Sequence, residues 1–92
     1  MVQFFHAQDG KHKLIALFDD GLKIPFGALG YDDFISSSDK NKKKLYLARH
    51  RKREDWNDPK TAGALSRWLL WGPTTSIEEN IKRFKRKFNM ND

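Results

Sequence analysis

The densest set of side chains able to do chemistry is Arg49, His50, Arg53, Asp55 and Asp58, with Arg67 nine positions further on. A metal-dependent nuclease uses these types: acids and an imidazole hold a cation, which activates a water. The spacing does not follow. No HNH or other nuclease pattern is present, and no pair of acids recurs at a fixed distance from a ligating histidine. An internal salt-bridge network joining two helices is the better reading of these residues. His6 and His12 fall in apolar, strand-like stretches and read as structural. The glycines match neither G-x-G-x-x-G nor G-x-x-x-x-G-K-[ST], the patterns that cradle phosphates. The absence of cysteine excludes thiolate zinc sites, disulfides and a thiol nucleophile. The expectation is a protein with no catalytic residue, no metal and no cofactor.

A second chemistry is better supplied. Residues 1–38 hold three lysines against five aspartates, a balance of −2, whereas residues 39–92 hold fifteen Lys/Arg against seven Asp/Glu, a balance of +8. Asymmetry of this size points to a polyanionic partner, most commonly nucleic acid. The basic residues fall in two clusters. The first is Lys40, Lys42, Lys43, Lys44, Arg49, Arg51, Lys52 and Arg53, followed by Lys60; the second is Lys82, Arg83, Lys85, Arg86 and Lys87. Each base that neutralises a phosphate releases counterions, which gives salt-sensitive affinity with no sequence preference. The competing reading of each cluster is a solvated helix face.

All three tryptophans lie in the basic part. Trp68 and Trp71 sit beside Leu65 and Leu69 and read as core. Trp56, next to Arg53 and Asp55, suits either core or a platform for base stacking, with a cation–π contact to a nearby arginine.

The elements that must position these residues form one α+β domain of 92 residues: an N-terminal three-stranded antiparallel β-meander followed by about three α-helices. Residues 2–7 and 13–18 flank Asp9-Gly10, and Asp20-Gly21 precedes residues 22–26. Asp-Gly accepts the positive φ of a tight hairpin. Pro25 cannot donate to a ladder, so the third strand is an edge or ends there. Residues 27–33 read as an irregular connection. Ser36, Ser37, Ser38 and Asp39 offer N-caps to a polar, half-exposed helix over residues 40–53. Asp58-Pro59 marks a helix start at Pro59 that runs to about Trp71, with Gly72 as a left-handed stop and Pro73 blocking continuation. Gly63 within it suits the close approach of another element. Thr75 and Glu78 fit a capping box for a last helix whose Ile77, Ile81, Phe84 and Phe88 make one apolar stripe.

Residues 47–71 carry a basic R-H-x-x-R-E-x-W segment (Arg49 to Trp56), a D-P-x-T-A-G step (Asp58 to Gly63) and S-R-W-L-L-W (Ser66 to Trp71). With Phe26-Gly27 and Tyr31-Asp32-Asp33-Phe34 upstream, and Pro73 and Ser76-Ile77 leading the last helix, the pattern resembles a small family of proteins of large and giant DNA viruses of eukaryotes. The resemblance spans roughly residues 14–88. It implies condensation of a viral genome without histones, inside the virion or at a viral replication site. It does not imply which residues touch DNA.

The expected partner is nucleic acid, with duplex DNA favoured and the choice of DNA against RNA left open, and other virion proteins are further partners. Two separated basic faces can bridge duplexes. The rival reading is a cement protein of a capsid or core that turns its charge to acidic proteins. MVQFFHAQDGKHK has no basic segment followed by an apolar stretch, and Trp68 to Trp71 is too short an apolar run to cross a bilayer. A soluble protein with no membrane contact is expected, its oligomeric state left open.

Overall fold

Residues 2–90 are described by a computed structural model. Strands β1 (Val2–His6), β2 (His12–Phe18) and β3 (Lys23–Ala28) form an antiparallel sheet in the order β1-β2-β3. Both hairpins are closed by the Asp-Gly pairs. The Asp9 carboxylate accepts from the Lys11 and His12 amides at 2.9 Å each, and Gly10 takes φ +72°. At the second turn Phe18 and Leu22 close the loop at 2.9 Å around Gly21, φ +86°. Pro25 sits on the edge strand opposite Ile15, but β3 does not end there; it continues to Ala28. Gly27 therefore belongs to the strand. Its φ is +78°, and a Cβ at this position would lie 2.6 Å from Leu70 Cδ1.

The connection after β3 holds a short helix that the sequence does not announce. In α1 (Phe34–Ser37) Asp33 accepts from the Ser36 amide at 2.8 Å, and Ser36 Oγ accepts from the Asp33 amide at 3.2 Å. Four residues are too few to display a hydrophobic period. Helix α2 (Lys40–His50) starts at Asp39, which caps the Asn41 and Lys42 amides. It ends three residues short of expectation, because the Arg53 and Glu54 amides both turn back onto the His50 carbonyl.

The next helix starts later than Asp58-Pro59 indicates. Asp58 spends its carboxylate on the Lys60 amide in a turn, and Thr61 is the cap, accepting from Ala64 at 3.2 Å. Helix α3 (Ala62–Leu65) continues as a π-helical segment (Ser66–Leu70), closed by the Trp71 amide on the Ser66 carbonyl at 2.9 Å. Gly72 is not left-handed. It is small because a Cβ there would lie 2.2 Å from the Trp68 carbonyl oxygen and 2.8 Å from Asn80 Nδ2. Helix α4 (Ile77–Lys87) is capped by Ser76 on the Glu79 amide, one residue past the expected Thr75–Glu78 box; Thr74 accepts from the Ser76 amide just before it.

One core joins the sheet to the helices. Val2, Ala16, Phe18 and Phe26 meet Leu65, Leu69, Leu70 and Phe84, all buried. Phe4 crosses edge-on to Phe26 and Phe84, with centroids 6.3 and 6.1 Å apart. The α4 stripe packs as its spacing predicts: Phe84 is fully buried, while Ile77, Ile81, Phe88 and Trp68 are half-buried against the cluster. Burial of this apolar surface is the main stabilising term in so small a domain. No helix among the described residues is long and apolar enough to cross a membrane.

Candidate nucleic-acid interface

Helix α2 buries no residue completely, so apolar packing alone does not hold it. Its inner face is docked by rings and one ammonium. Tyr46 stacks on Trp71, centroids 4.5 Å apart and planes 8° from parallel, and His50 covers the other Tyr46 face at 4.2 Å. Stacked aromatic pairs contribute beyond their area. One turn earlier Lys43 donates to the Gly72 carbonyl at 2.7 Å and lies over the Phe34 ring at 4.6 Å. Burial, and secondarily the charge of Arg67, hold its pKa below the usual lysine value. Lys43 thus tethers α2 to the end of the π-helical segment and is half-buried, where the lysine run suggested a fully exposed side chain.

Other basic residues are also engaged. Lys42 pairs with Asp32 at 2.6 Å, which raises the Lys42 pKa and lowers that of Asp32. Lys60 pairs with Asp20 at 2.9 Å, and Arg83 with Glu79 at 3.0 Å. Lys87 lies 4.6 Å over the Trp68 ring. Lys85 is half-buried. By contrast Lys40, Lys44, Arg49, Arg51, Lys52, Arg53, Lys82 and Arg86 are exposed and make no ion pair among the described residues. Six of the eight lie on α2 or in the turn that ends it, and two on α4. A helix turns about 100° per residue, so Lys44 and Ala48 look away from the Lys43–Tyr46–His50 face. The acids of the first 38 residues hold Lys13, Lys42 and Lys60, and so leave the excess charge at these two places.

The expected ion-pair network is not formed. Asp55 accepts from the Asn57 amide at 3.0 Å and Asp58 from the Lys60 amide at 3.1 Å, so both acids close local turns and brace no arginine. Arg67 is sandwiched by aromatics instead. Its guanidinium lies 4.4 Å from the Trp68 ring centre and 5.3 Å from that of Trp56, and Nη1 donates to the Trp71 carbonyl at 2.7 Å. Its Nε is buried with no partner among the described residues, and burial lowers its pKa. The cation on Trp56 is therefore Arg67. Trp56 itself is half-buried; its Nε1 donates to Glu54 at 2.9 Å and its carbonyl accepts from Trp68 Nε1 at 2.7 Å. Glu54 also meets His50 Nδ1 at 3.2 Å and lies against Gly63, where a Cβ would sit 2.7 Å from its carboxyl carbon. That is the close approach Gly63 was read to allow.

A cleft of about 800 Å³ opens beside α2, between the connection after β3 and α3. Tyr31 and Asp32 line it from the connection, Leu45, Tyr46 and Arg49 from α2, and Gly63 and Ser66 from the third helix. Sequence reading did not find it, because its walls come from segments far apart in the chain. Among the described residues no group of three or more His, Cys, Asp or Glu is placed to hold a metal ion.

No curated protein and no solved structure matches this chain. A family match covers residues 2–50, which include the whole sheet, α1 and α2 with its lysine run. With more than half of its 92 residues matched, the chain belongs to the family of unknown function DUF5754.

Proposed function

We propose that this protein binds DNA without regard to sequence and compacts it, acting as a nucleoprotein of a large DNA virus and not as an enzyme. The observation that carries the reading is the separation of basic residues into engaged and unengaged sets. The unengaged ones lie along α2 and its terminal turn, with a second group on α4. Two basic surfaces on one small domain can hold two duplexes, and bridging is what compaction requires. Affinity from such surfaces comes from counterion release and carries no base readout. The viral setting, in the virion interior or at a replication site, rests on the resemblance of residues 47–71.

Gel shifts on duplex DNA across a salt series test the reading. Lys40, Lys44 and Lys52 changed together to Gln remove three exposed charges and touch no tether. The slope of log K against log salt should fall by about 0.9 for each phosphate that is no longer neutralised, alike on unrelated duplexes. Unchanged affinity and slope, with binding to purified acidic virion proteins instead, would favour the cement reading. A preference of about 10³ or more for one site would refute sequence independence.

A further inference from the structure

We infer that the cleft beside α2 takes one unpaired nucleotide of a nucleic-acid strand, so that the protein engages single-stranded or locally melted DNA differently from duplex. The inference rests on the nucleic-acid reading for its class of partner. Its site adjoins the exposed basic set of α2 and shares Arg49 with it.

Four observations converge. The volume, about 800 Å³, lies within the range of small-ligand sites. The lining is mostly small or apolar: Gly27, Ala28, Gly30, Ala62 and Gly63 leave room for a flat ring. Tyr31 offers that ring a face. It is 74% exposed and its ring meets no other aromatic among the described residues, while its backbone is anchored by Lys13 Nζ on the Tyr31 carbonyl at 2.6 Å. An aromatic held by its backbone with its face free is a stacking platform, and stacking on a base is tolerant of sequence. Finally, Arg49 lines the cleft with no ion-pair partner among the described residues, whereas the two lining lysines are paired, Lys13 with Asp33 and Lys42 with Asp32. A guanidinium with no direct ion-pair partner is free to receive an anion. A phosphate meets it, and guanidinium matches phosphate in a bidentate fork.

The hydrogen-bonding edge of a base also finds partners. The Tyr46 and Ser66 hydroxyls both belong to lining residues and make no hydrogen bond among the described residues. Each is donor and acceptor, so neither demands a particular base. A paired base cannot enter, since its edge is already occupied and its neighbours are stacked. Extrusion from a duplex must first break that pairing and stacking, and a single strand avoids most of the cost.

The test uses the full chain and a fluorescently labelled octanucleotide, single-stranded or annealed to its complement, read by anisotropy. Tyr31→Ala is chosen because Tyr31 is exposed and its loss leaves the fold intact, checked by circular dichroism. The variant should bind the single strand about tenfold more weakly and the duplex as the parent does. Equal weakening on both, or none on the single strand, overturns the inference. Duplex binding that persists without any effect of Tyr31→Ala on single strands removes the cleft and leaves the exposed basic set standing. Single-strand binding sensitive to Tyr31→Ala, with no duplex binding at all, supports the cleft and removes the compaction reading. An octanucleotide that binds no tighter than a mononucleotide would assign the cleft to a free nucleotide and overturn the strand.

Discussion

The rings of Tyr46 and Trp71 lie face to face, 4.5 Å between centroids, and this contact fastens the most basic helix of the protein to its core. A helix with charges on most of its surface and no fully buried residue would otherwise detach. The stack, the Lys43–Gly72 bond and the Lys42–Asp32 pair hold it from three directions.

Tyr46→Ala should therefore destabilise the domain by about 2–4 kcal/mol, the cost of truncating a half-buried ring and removing its stacking. Tyr46→Phe should cost less than about 0.5 kcal/mol, because the hydroxyl bonds to nothing among the described residues. Urea unfolding of the two variants against the parent measures both. Equal losses would mean that the hydroxyl, and not the stack, carries the contact.

Lys43 and Lys44 are neighbours with opposite roles, which a pair of single variants exposes. Lys43→Gln removes a charged donor from the Gly72 carbonyl and should cost about 1–3 kcal/mol, while Lys44→Gln should leave stability within about 0.5 kcal/mol. On duplex DNA the order reverses: Lys44→Gln should lower the salt slope by about 0.9, and Lys43→Gln should leave it unchanged wherever the protein is folded.

Asn80 is wholly buried in the otherwise apolar face of α4. Its Nδ2 donates to the Leu69 carbonyl at 2.9 Å and to the Thr74 carbonyl at 3.0 Å, and its Oδ1 accepts from the Thr74 amide and hydroxyl. Asn80→Leu strands these groups in the core and should cost about 3–5 kcal/mol. Phe84→Ala should cost a similar amount by leaving a cavity. In a domain of ordinary marginal stability either change brings the thermal midpoint close to ambient temperature, as a circular dichroism melt would record.

Acid should weaken the fold through carboxylates on its surface. The pKa of Asp9 is lowered chiefly by its His12 hydrogen bond, that of Asp20 by Lys60 and that of Asp32 by Lys42. A carboxyl with a lower pKa in the folded state adds stability that is complete above its unfolded value, about 3.9, and is lost as pH falls toward the folded value. Thermal midpoints should be level from neutrality to about pH 5 and decline below about pH 4. Asp9→Asn should make that decline shallower, and added salt should shrink the part due to Asp20 and Asp32. A decline that begins above pH 6 would point to a histidine instead.

The sheet was legible because its signals are local. Asp9-Gly10 and Asp20-Gly21 each specify a turn within four residues, and Pro25 identifies an edge by the donor it lacks. The α4 stripe was legible for the same reason. What escaped reading depends on distant partners. Lys43 looks like its neighbours until Gly72, twenty-nine residues away, presents a carbonyl. Asp55 and Asp58 look like partners for arginine until their own turns claim them. Asn80 did leave a trace: it stands three residues after Ile77 and four before Phe84, inside the stripe, where a polar residue must have a buried task.

The π-helical segment Ser66–Leu70 fits one extra residue into a turn. An inserted residue is a change of phase: everything after it is rotated by about 100° relative to an ordinary helix. Trp71 then faces Tyr46 and Gly72 offers its carbonyl to Lys43. Deleting one residue from this stretch would restore regular winding and turn both away from α2. The number of residues between Thr61 and Gly72 therefore sets where α2 can dock, independently of which residues they are.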